Sequence, residues 1–295
     1  MGSPKIAPLI FVIEPFGGST RAHLPTLPLL YVDDFAVTRG EGVFETLRVV
    51  DGKVVNLERH VRRFQRSAVA LGIPEPKASH WSKATADACA EWENLHPGIE
   101  ATCRWTLSRG RESRRDIPTA WMVISPVSPE ILWQREHGVK AMTGPRGYRL
   151  TEETPWAVSG VKSLGYAANM SALRYAKSQG FDDVIFCDGE NVLEGATSTV
   201  LSIRGHKIRT PLTGGDVLPG TTQAALFSQA TAAGFSCKEK PLTKSDLLKA
   251  DSVWLVSSVR GAVRVTQLDD RIITKSGDAF DLDKYLKGIE IPERG

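Results

Sequence analysis

Cysteine is scarce in this chain of 295 residues: there are four, at 89, 103, 187 and 237, and no two stand in a CxxC spacing. Thiols so few and so far apart suit reduced side chains better than a disulfide framework or a zinc site. No apolar run approaches the ~20 residues of a membrane-spanning helix. The opening MGSPKIAPLIFVIEP has one early lysine and prolines beside a short apolar piece, not the layout of a secretion signal. MGSPKI also lacks the Ser or Thr that a myristoylation signal carries at its sixth position. With neither signal nor span, the cytoplasm is the expected compartment. A strong excess of one charge is missing as well. The net charge of +3 is too near neutral to argue for nucleic acid. Internal repeats and low-complexity tracts are absent.

What is present reads as an ordinary globular protein with enough chain for two cores. LLYVDDFAV and VFETLRVVDGKVV read as strands, the latter folded at the Asp51-Gly52 hairpin signal. In NLERHVRRFQRSAVALGI, Leu57, Val61, Phe64, Ala68 and Leu71 recur at helical spacing, and Gly72 and Pro74 end the run. ASHWSKATADACAEWENLHPG predicts a second helix, and ATCRWTLSRG and TAWMVISPV predict strands on either side of the charged loop RESRRDIP. Between Met142 and Trp156, Gly, Pro and charge gather without periodicity, which marks a domain connection. The expected division is an N-terminal domain over 1–145, a connection over 146–155 and a C-terminal domain over 156–295. The second half predicts a helix from about Tyr166, the strands DDVIFCD and TSTVLSI, and a turn TPLTGGDVLPG leading into the helix TTQAALFSQATAAG. The strands DSVWLVSSV and AVRVTQL close it. Strands and helices alternate without regular βαβ units, so the expected class is α+β with two domains.

Lys162 stands at the joint between a Gly-flanked segment and a helix. A lysine is ordinarily a solvated surface charge. Used catalytically it forms a Schiff base with a carbonyl, most commonly that of pyridoxal 5'-phosphate (PLP). Such a site needs a cradle for the phosphate, an acid against the pyridine nitrogen and room over the ring. GGDVLPGTTQAAL offers a cradle: Thr221 and Thr222 open a helix whose free N–H groups and dipole attract a dianion. Plain N-capping by either threonine accounts for the same stretch equally well. An arginine would complete the cradle. On the helix over 57–71, Arg59 and Arg66 lie opposite the apolar stripe, Arg62 and Arg63 lie on its two flanks, and periodicity does not choose between the last two. Read as a nucleic-acid patch, this basic run lacks an interleaved aromatic platform. Glu194, between Leu193 and a run of small residues, could serve as the acid, and would otherwise be a turn-exposed glutamate.

Taken in order, RGEGVFETLRVVDGK (39–53), HVRRFQRSAVALG (60–72), VKSLGYAANMSAL (161–173), VLEGATST (192–199) and VLPGTT (217–222) resemble the fold-type IV family of PLP enzymes, the class IV aminotransferase-like proteins. The match runs from about Tyr31 to Val265. The resemblance implies a small N-terminal α/β domain, a larger C-terminal domain with a barrel-like sheet, and a homodimer with the cofactor between domains. It implies Lys162 as the Schiff-base lysine and Glu194 as the partner of the pyridine nitrogen. Arg63 becomes the phosphate arginine, because it fills the H-hydrophobic-x-R-hydrophobic pattern of His60 to Phe64. Thr221, Thr222 and Ser258 would bind the phosphate, Thr197 and Ser198 would line the cofactor, and Tyr166 would sit near its phenolic oxygen. No metal is implied.

RGEGVFETLR and the SSVRG of 257–261 are most similar to the 4-amino-4-deoxychorismate lyases. In the family's D-amino-acid aminotransferases an arginine and a histidine follow the SRG-like turn and trap a carboxylate. Here Arg114 could stand for the arginine, but Asp116 holds the histidine's place and would repel the substrate. The asparagine of the family's T-S-N pattern is replaced by Thr199. A substrate with two carboxylates needs cationic partners, and Arg39, Arg48, Arg109 and Arg260 lie on the motif segments; each could equally be a structural ion pair. The expected reaction converts aminodeoxychorismate to 4-aminobenzoate and pyruvate, a folate-biosynthetic step, with Lys162 as base. The rival readings are an aminotransferase for D-amino or branched-chain substrates and a cofactor-free binding protein on the same scaffold.

Overall fold

A computed structural model of the chain describes residues 6–14, 18–147, 160–215 and 217–273. It divides into two compact units: 1–128 with 161–165 and 292–295, and 129–160 with 166–291.

The first unit contains β1 (Leu9–Ile13), β2 (Thr20–His23), α1 (Phe35–Thr38), β3 (Gly42–Val50), β4 (Lys53–Val54), α2 (Leu57–Ala70), α3 (Ala78–Leu95), β5 (Ala101–Ser108) and β6 (Thr119–Pro126). Its sheet is antiparallel throughout, in the order β2-β1-β6-β5-β3-β4. Both Asp51 and Gly52 have positive φ, 48° and 68°, which is the geometry of a type I′ hairpin turn and confirms that signal. Alternation along β3 buries Val43, Leu47 and Val49 beside Val61, Phe64 and Ala68 of α2 and Trp81, Ala88 and Trp92 of α3. Phe64, Trp81 and Trp105 pack ring against ring, with centroids 4.8–5.5 Å apart. The helix over 57–70 therefore forms for the expected reason, an apolar stripe laid on a sheet.

One strand expectation fails. LLYVDDFAV holds no strand; it ends in the short helix α1. Asp34 decides this. Its carboxylate accepts from the Ala36 N–H (2.8 Å), Ser108 Oγ (2.8 Å) and Thr119 Oγ1 (2.6 Å), so it caps α1 and ties it to β5 and β6.

The second unit contains α4 (Pro129–His137), β7 (Val139–Pro145), α5 (Ala167–Ser178), β8 (Asp183–Asp188), β9 (Asn191–Gly195), β10 (Thr199–Arg204), β11 (Lys207–Thr210), α6 (Thr221–Ala232), β12 (Ser236–Glu239), α7 (Lys244–Leu248), β13 (Ser252–Ser257), β14 (Gly261–Leu268) and β15 (Arg271–Ile272). Among the described residues its nine strands run β12-β11-β10-β13-β14-β7-β8-β9, with β15 on β14. The pairs β14–β7, β7–β8 and β11–β12 are parallel. Alternate residues of this curled sheet feed two clusters. Val200, Val253, Leu255 and Val263 join one, and Leu201, Ile203, Trp254 and Val256 join the other, under Leu226 and Ala230 of α6. Two sheets with helices laid against them make the fold α+β.

The units divide elsewhere than the sequence suggested. The chain leaves the first unit after Ser128, so α4 and β7, placed by expectation in the N-terminal domain, pack with the second unit, because β7 pairs with β14 and β8. Val161–Gly165 packs with the first unit instead, because the Leu164 N–H donates to Gly42 O and Lys162 O accepts from the Phe44 N–H. Most of the expected connection, 148–155, lies outside the described residues. Among the described residues no helix is long and apolar enough to cross a membrane. The four cysteines are free, and Cys89, Cys103 and Cys187 are buried.

Candidate active site

In the first unit, Lys162 is half-buried on a backbone held from two sides. Its N–H donates to the Oγ of buried Ser67 on α2 (3.3 Å), and its carbonyl accepts from Phe44 on β3 (3.0 Å). The Nζ stands 4.4 Å from the centroid of the Phe44 ring. A half-buried amine on a fixed backbone, over an aromatic face, differs from a solvated surface lysine.

Arg63 lies on the buried side of α2. Its Nε and Nη2 donate to the two oxygens of Glu45 at 2.6 and 2.7 Å, and His60 Nδ1 is 2.7 Å from Glu45 Oε2. All three side chains are buried, Glu45 completely. Burial pushes the Glu45 carboxyl up, but the Arg63 charge and its hydrogen bonds outweigh that, with His60 adding to them, and hold it well below the usual carboxylate range. Burial pushes His60 down; Glu45 opposes this, and the charges of Arg63 and Lys162 add to the fall, so the imidazole is neutral at pH 7. Helical periodicity by itself left Arg62 and Arg63 open. The structure exposes Arg62, which pairs with Glu58 (3.4 Å), and buries Arg63. Sequence reading passed over Glu45. The available signal was a carboxylate at 45, in phase with Val43, Leu47 and Val49 on the face of β3 that α2 covers.

In the second unit, β9 carries Glu194, whose Oε2 accepts from the Leu218 N–H (3.1 Å) and whose Oε1 is 3.8 Å from Nη2 of buried Arg146. This is not a turn-exposed glutamate. Arg146 was missed because it lies in a stretch that reads as an irregular connection. The turn from β9 to β10 is pinned by Asn169 of α5, whose amide donates to Ala196 O (2.7 Å). In that turn Thr197 is exposed and Ser198 is buried; the Ser198 hydroxyl has no hydrogen-bond partner among the described residues. Thr199, which replaces the expected asparagine, is buried against the start of α6. A Cβ on Gly220 would come within 2.4 Å of its Oγ1. Gly220 is the N-cap of α6 and offers no side-chain acceptor to the first N–H groups. Thr221 and Thr222 are buried at that end, and Thr221 Oγ1 is 3.4 Å from Ser258 Oγ. Tyr166 is half-buried at the N-cap of α5.

The arginines expected to meet substrate carboxylates stand mostly in protein ion pairs. Arg48 donates to Glu100 from Nε (2.7 Å) and Nη2 (3.1 Å). Arg109 donates to Glu41 and to the carbonyls of Leu71 and Gly72 beyond the end of α2. Arg260 is buried, with Nη2 on Asp183 (2.6 Å) and Nη1 on Gln134 (3.4 Å). Arg39 is exposed and donates to Thr38 O. In the loop after β5, Arg114 is 3.7 Å from Asp116, both exposed. The same loop is held by Asp33, which hydrogen bonds from Ser113 and then Arg111 lower to about 2. Arg111 also stacks on Tyr31, 3.9 Å from the ring centroid. Among the described residues no group of His, Cys, Asp or Glu side chains is arranged to hold a metal ion.

Each unit, taken by itself, holds groups of the kind that a phosphate-bearing pyridine aldehyde requires. The first unit has an anchored amine and a buried arginine. The second has a helix start with an open cap, paired hydroxyls and a carboxylate set against a cation and a backbone donor.

The chain matches the family model described as Amino-transferase class IV over residues 42–268. It is 39% identical over 262 residues to the bifunctional aminodeoxychorismate lyase / D-amino acid transaminase of Mycobacterium tuberculosis, covering 85% of this chain and 90% of that protein. It is 26% identical over 266 residues to the aminodeoxychorismate lyase of Bacillus subtilis, covering 88% of each. Its fold superposes on a hypothetical aminotransferase from Mycobacterium tuberculosis in the PLP-bound form with a TM-score of 0.91 at 36% identity, over 97% of this chain and all of that one.

Proposed function

The chain belongs to the amino-transferase class IV family of PLP-dependent enzymes, and from that premise we propose that it is a 4-amino-4-deoxychorismate lyase, releasing 4-aminobenzoate and pyruvate. The observation that carries this reading is the 39% identity, across nearly the whole length, to an aminodeoxychorismate lyase / D-amino acid transaminase. The Arg114–Asp116 pair agrees with it, because an arginine beside its own carboxylate is a poor trap for a substrate carboxylate. The name of the same relative favours D-amino-acid transamination as a second activity.

PLP, when bound, draws electrons from the carbon that bears the substrate nitrogen. The protein's share is binding, orientation and proton transfer. Lys162 would hold the cofactor through Nζ and, once displaced by the substrate amine, would take the proton from the substrate carbon at that nitrogen. Its pinned backbone fixes the point from which the side chain reaches, and Nζ lies over the Phe44 ring. Glu194 would keep a negative charge beside the pyridine nitrogen. Arg146 and the Leu218 N–H favour that charge, and so favour a protonated ring. Arg63, the first turn of α6, Thr221, Thr222 and Ser258 would hold the phosphate, with Ser198 donating from the neighbouring turn. Homodimerisation and a cytoplasmic location accompany this reading.

The test is a product assay. The purified protein is mixed with aminodeoxychorismate, and separately with D-alanine and 2-oxoglutarate. Appearance of 4-aminobenzoate supports the lyase. Transamination without any 4-aminobenzoate would overturn it in favour of the aminotransferase.

A further inference from the structure

The turn between β13 and β14 runs from Ser258 to Arg260 and closes on the pair Ser257–Gly261. Gly261 takes a φ of 71°, the left-handed conformation that completes a short hairpin of this kind. Such a turn closes through its own backbone and needs no charged support. This one is nevertheless held by two other elements of the second unit. Arg260 is buried, with Nη2 on Asp183 Oδ2 (2.6 Å) and Nη1 on Gln134 Oε1 (3.4 Å). Asp183 is completely buried at the start of β8, and its Oδ1 accepts from the Val184 N–H (2.7 Å). Gln134 is buried on α4, and the next residue, Arg135, donates from Nη2 to the Val259 carbonyl. Consecutive residues of α4 thus hold consecutive residues of the turn.

A buried ion pair is costly to form, and apolar side chains of similar size would hold α4 and β8 to the turn at least as well. Packing alone therefore does not account for the pair. A fixed position for the turn does, because Ser258 Oγ stands 3.4 Å from Thr221 Oγ1, at the open start of α6. We propose that Arg260 is a positioning residue for phosphate recognition and not a substrate ligand. Anchored on Asp183 and Gln134, it holds the turn so that the Ser258 hydroxyl stays beside Thr221 and the first turn of α6. The inference rests on Ser258 and that helix start being part of the phosphate grip.

The experiment measures dissociation constants for PLP and for pyridoxal, which lacks only the phosphate, by equilibrium dialysis of the full chain stripped of cofactor. Arg260→Met alone would strand the Asp183 charge, so it is combined with Asp183→Asn, which keeps an acceptor for the Val184 N–H. The double variant should weaken PLP binding about fivefold, the scale of one hydrogen bond, and leave pyridoxal unchanged. Ser258→Ala should lower the PLP-to-pyridoxal preference by a similar factor. In the Ser258→Ala background the double variant should add little, because both act through the same hydroxyl. An unchanged or raised preference in the double variant, with Ser258→Ala still defective, overturns the positioning role and leaves the phosphate grip standing. Equal weakening of both ligands overturns it in favour of a merely structural role. If Ser258→Ala changes nothing, Ser258 is not part of the grip, and the inference falls with it. Should the double variant not fold, Arg260→Lys tests the anchor, since an ammonium keeps the charge for Asp183 but lacks the planar fork that also reaches Gln134. A two- to fivefold fall in preference then supports the proposal, and no fall overturns it.

Discussion

At the scale of single residues, chemistry depends on which charges have been taken out of water and what stands beside them. Lys162 and Glu194 differ from the solvated charges their residue types usually are, one through a pinned backbone and an aromatic face, the other through a backbone donor and a buried guanidinium. Replacing Lys162 by alanine should lower turnover by roughly a thousandfold, the range of a lost general base. It should also abolish the pyridoxyl label that borohydride leaves on the peptide containing residue 162; a label retained on another amine would refute the assignment. Glu194→Gln keeps the shape of the side chain and removes its charge. Turnover should fall about a hundredfold with cofactor still bound, and the loss should appear in kcat more than in KM.

At the scale of elements, the arginines of the motif segments hold strands and helices together. Arg109 joins the end of β5 to Glu41 and to the carbonyls that follow α2, a C-terminal clasp on the helix that carries Arg63. Arg109→Ala should cost about 1 kcal/mol, because the side chain is partly exposed and its hydrogen bonds are discounted accordingly. Urea denaturation measures this. KM for the substrate should stay within about twofold if the clasp is its whole role; a large rise in KM at unchanged stability would return Arg109 to the substrate site. The same scale explains the missed strand. LLYVDDFAV has the composition of a strand, but Asp34 gathers one donor from each of two strands and a third from the backbone of α1 itself, and turns the chain into a capped helix. No local pattern announces those partners.

At the scale of the whole molecule, the buried trio Glu45, His60 and Arg63 sets how stability responds to acid. The folded-state pKa of His60 is lowered, so between its folded value and its ordinary 6.5 the unfolded chain binds the extra proton. The stability due to neutral His60 is complete above 6.5 and declines as pH falls below it. Glu45 is also lowered, from 4.5, so the stability of its ion pair is complete above that value and is lost as pH falls further. Both contributions have the same sign, and acid should destabilise the protein in two stages. Thermal unfolding at pH 7.5, 6 and 5 should show the first stage in the native protein and a flatter profile in His60→Asn. Equal slopes in the two would show that His60 does not titrate between the folded and unfolded states.

The order of the motifs, the helix over 57–70, the type I′ hairpin, the α+β class and the family were all determined by the sequence alone, because each rests on local periodicity, on turn chemistry or on residue types kept in a fixed order. Tertiary structure decided what depends on partners distant in the chain. It buried Arg63 and left Arg62 exposed, and it gave Arg48, Arg109 and Arg260 to protein carboxylates. It moved α4 and β7 into the second unit through strand pairing, and it brought Glu45 beside Arg63 and Arg146 beside Glu194. A hydrogen bond spanning eighteen residues, or a strand paired with one more than a hundred residues away, leaves no periodic trace; only a carboxylate standing where β3 should be apolar hinted at one of them.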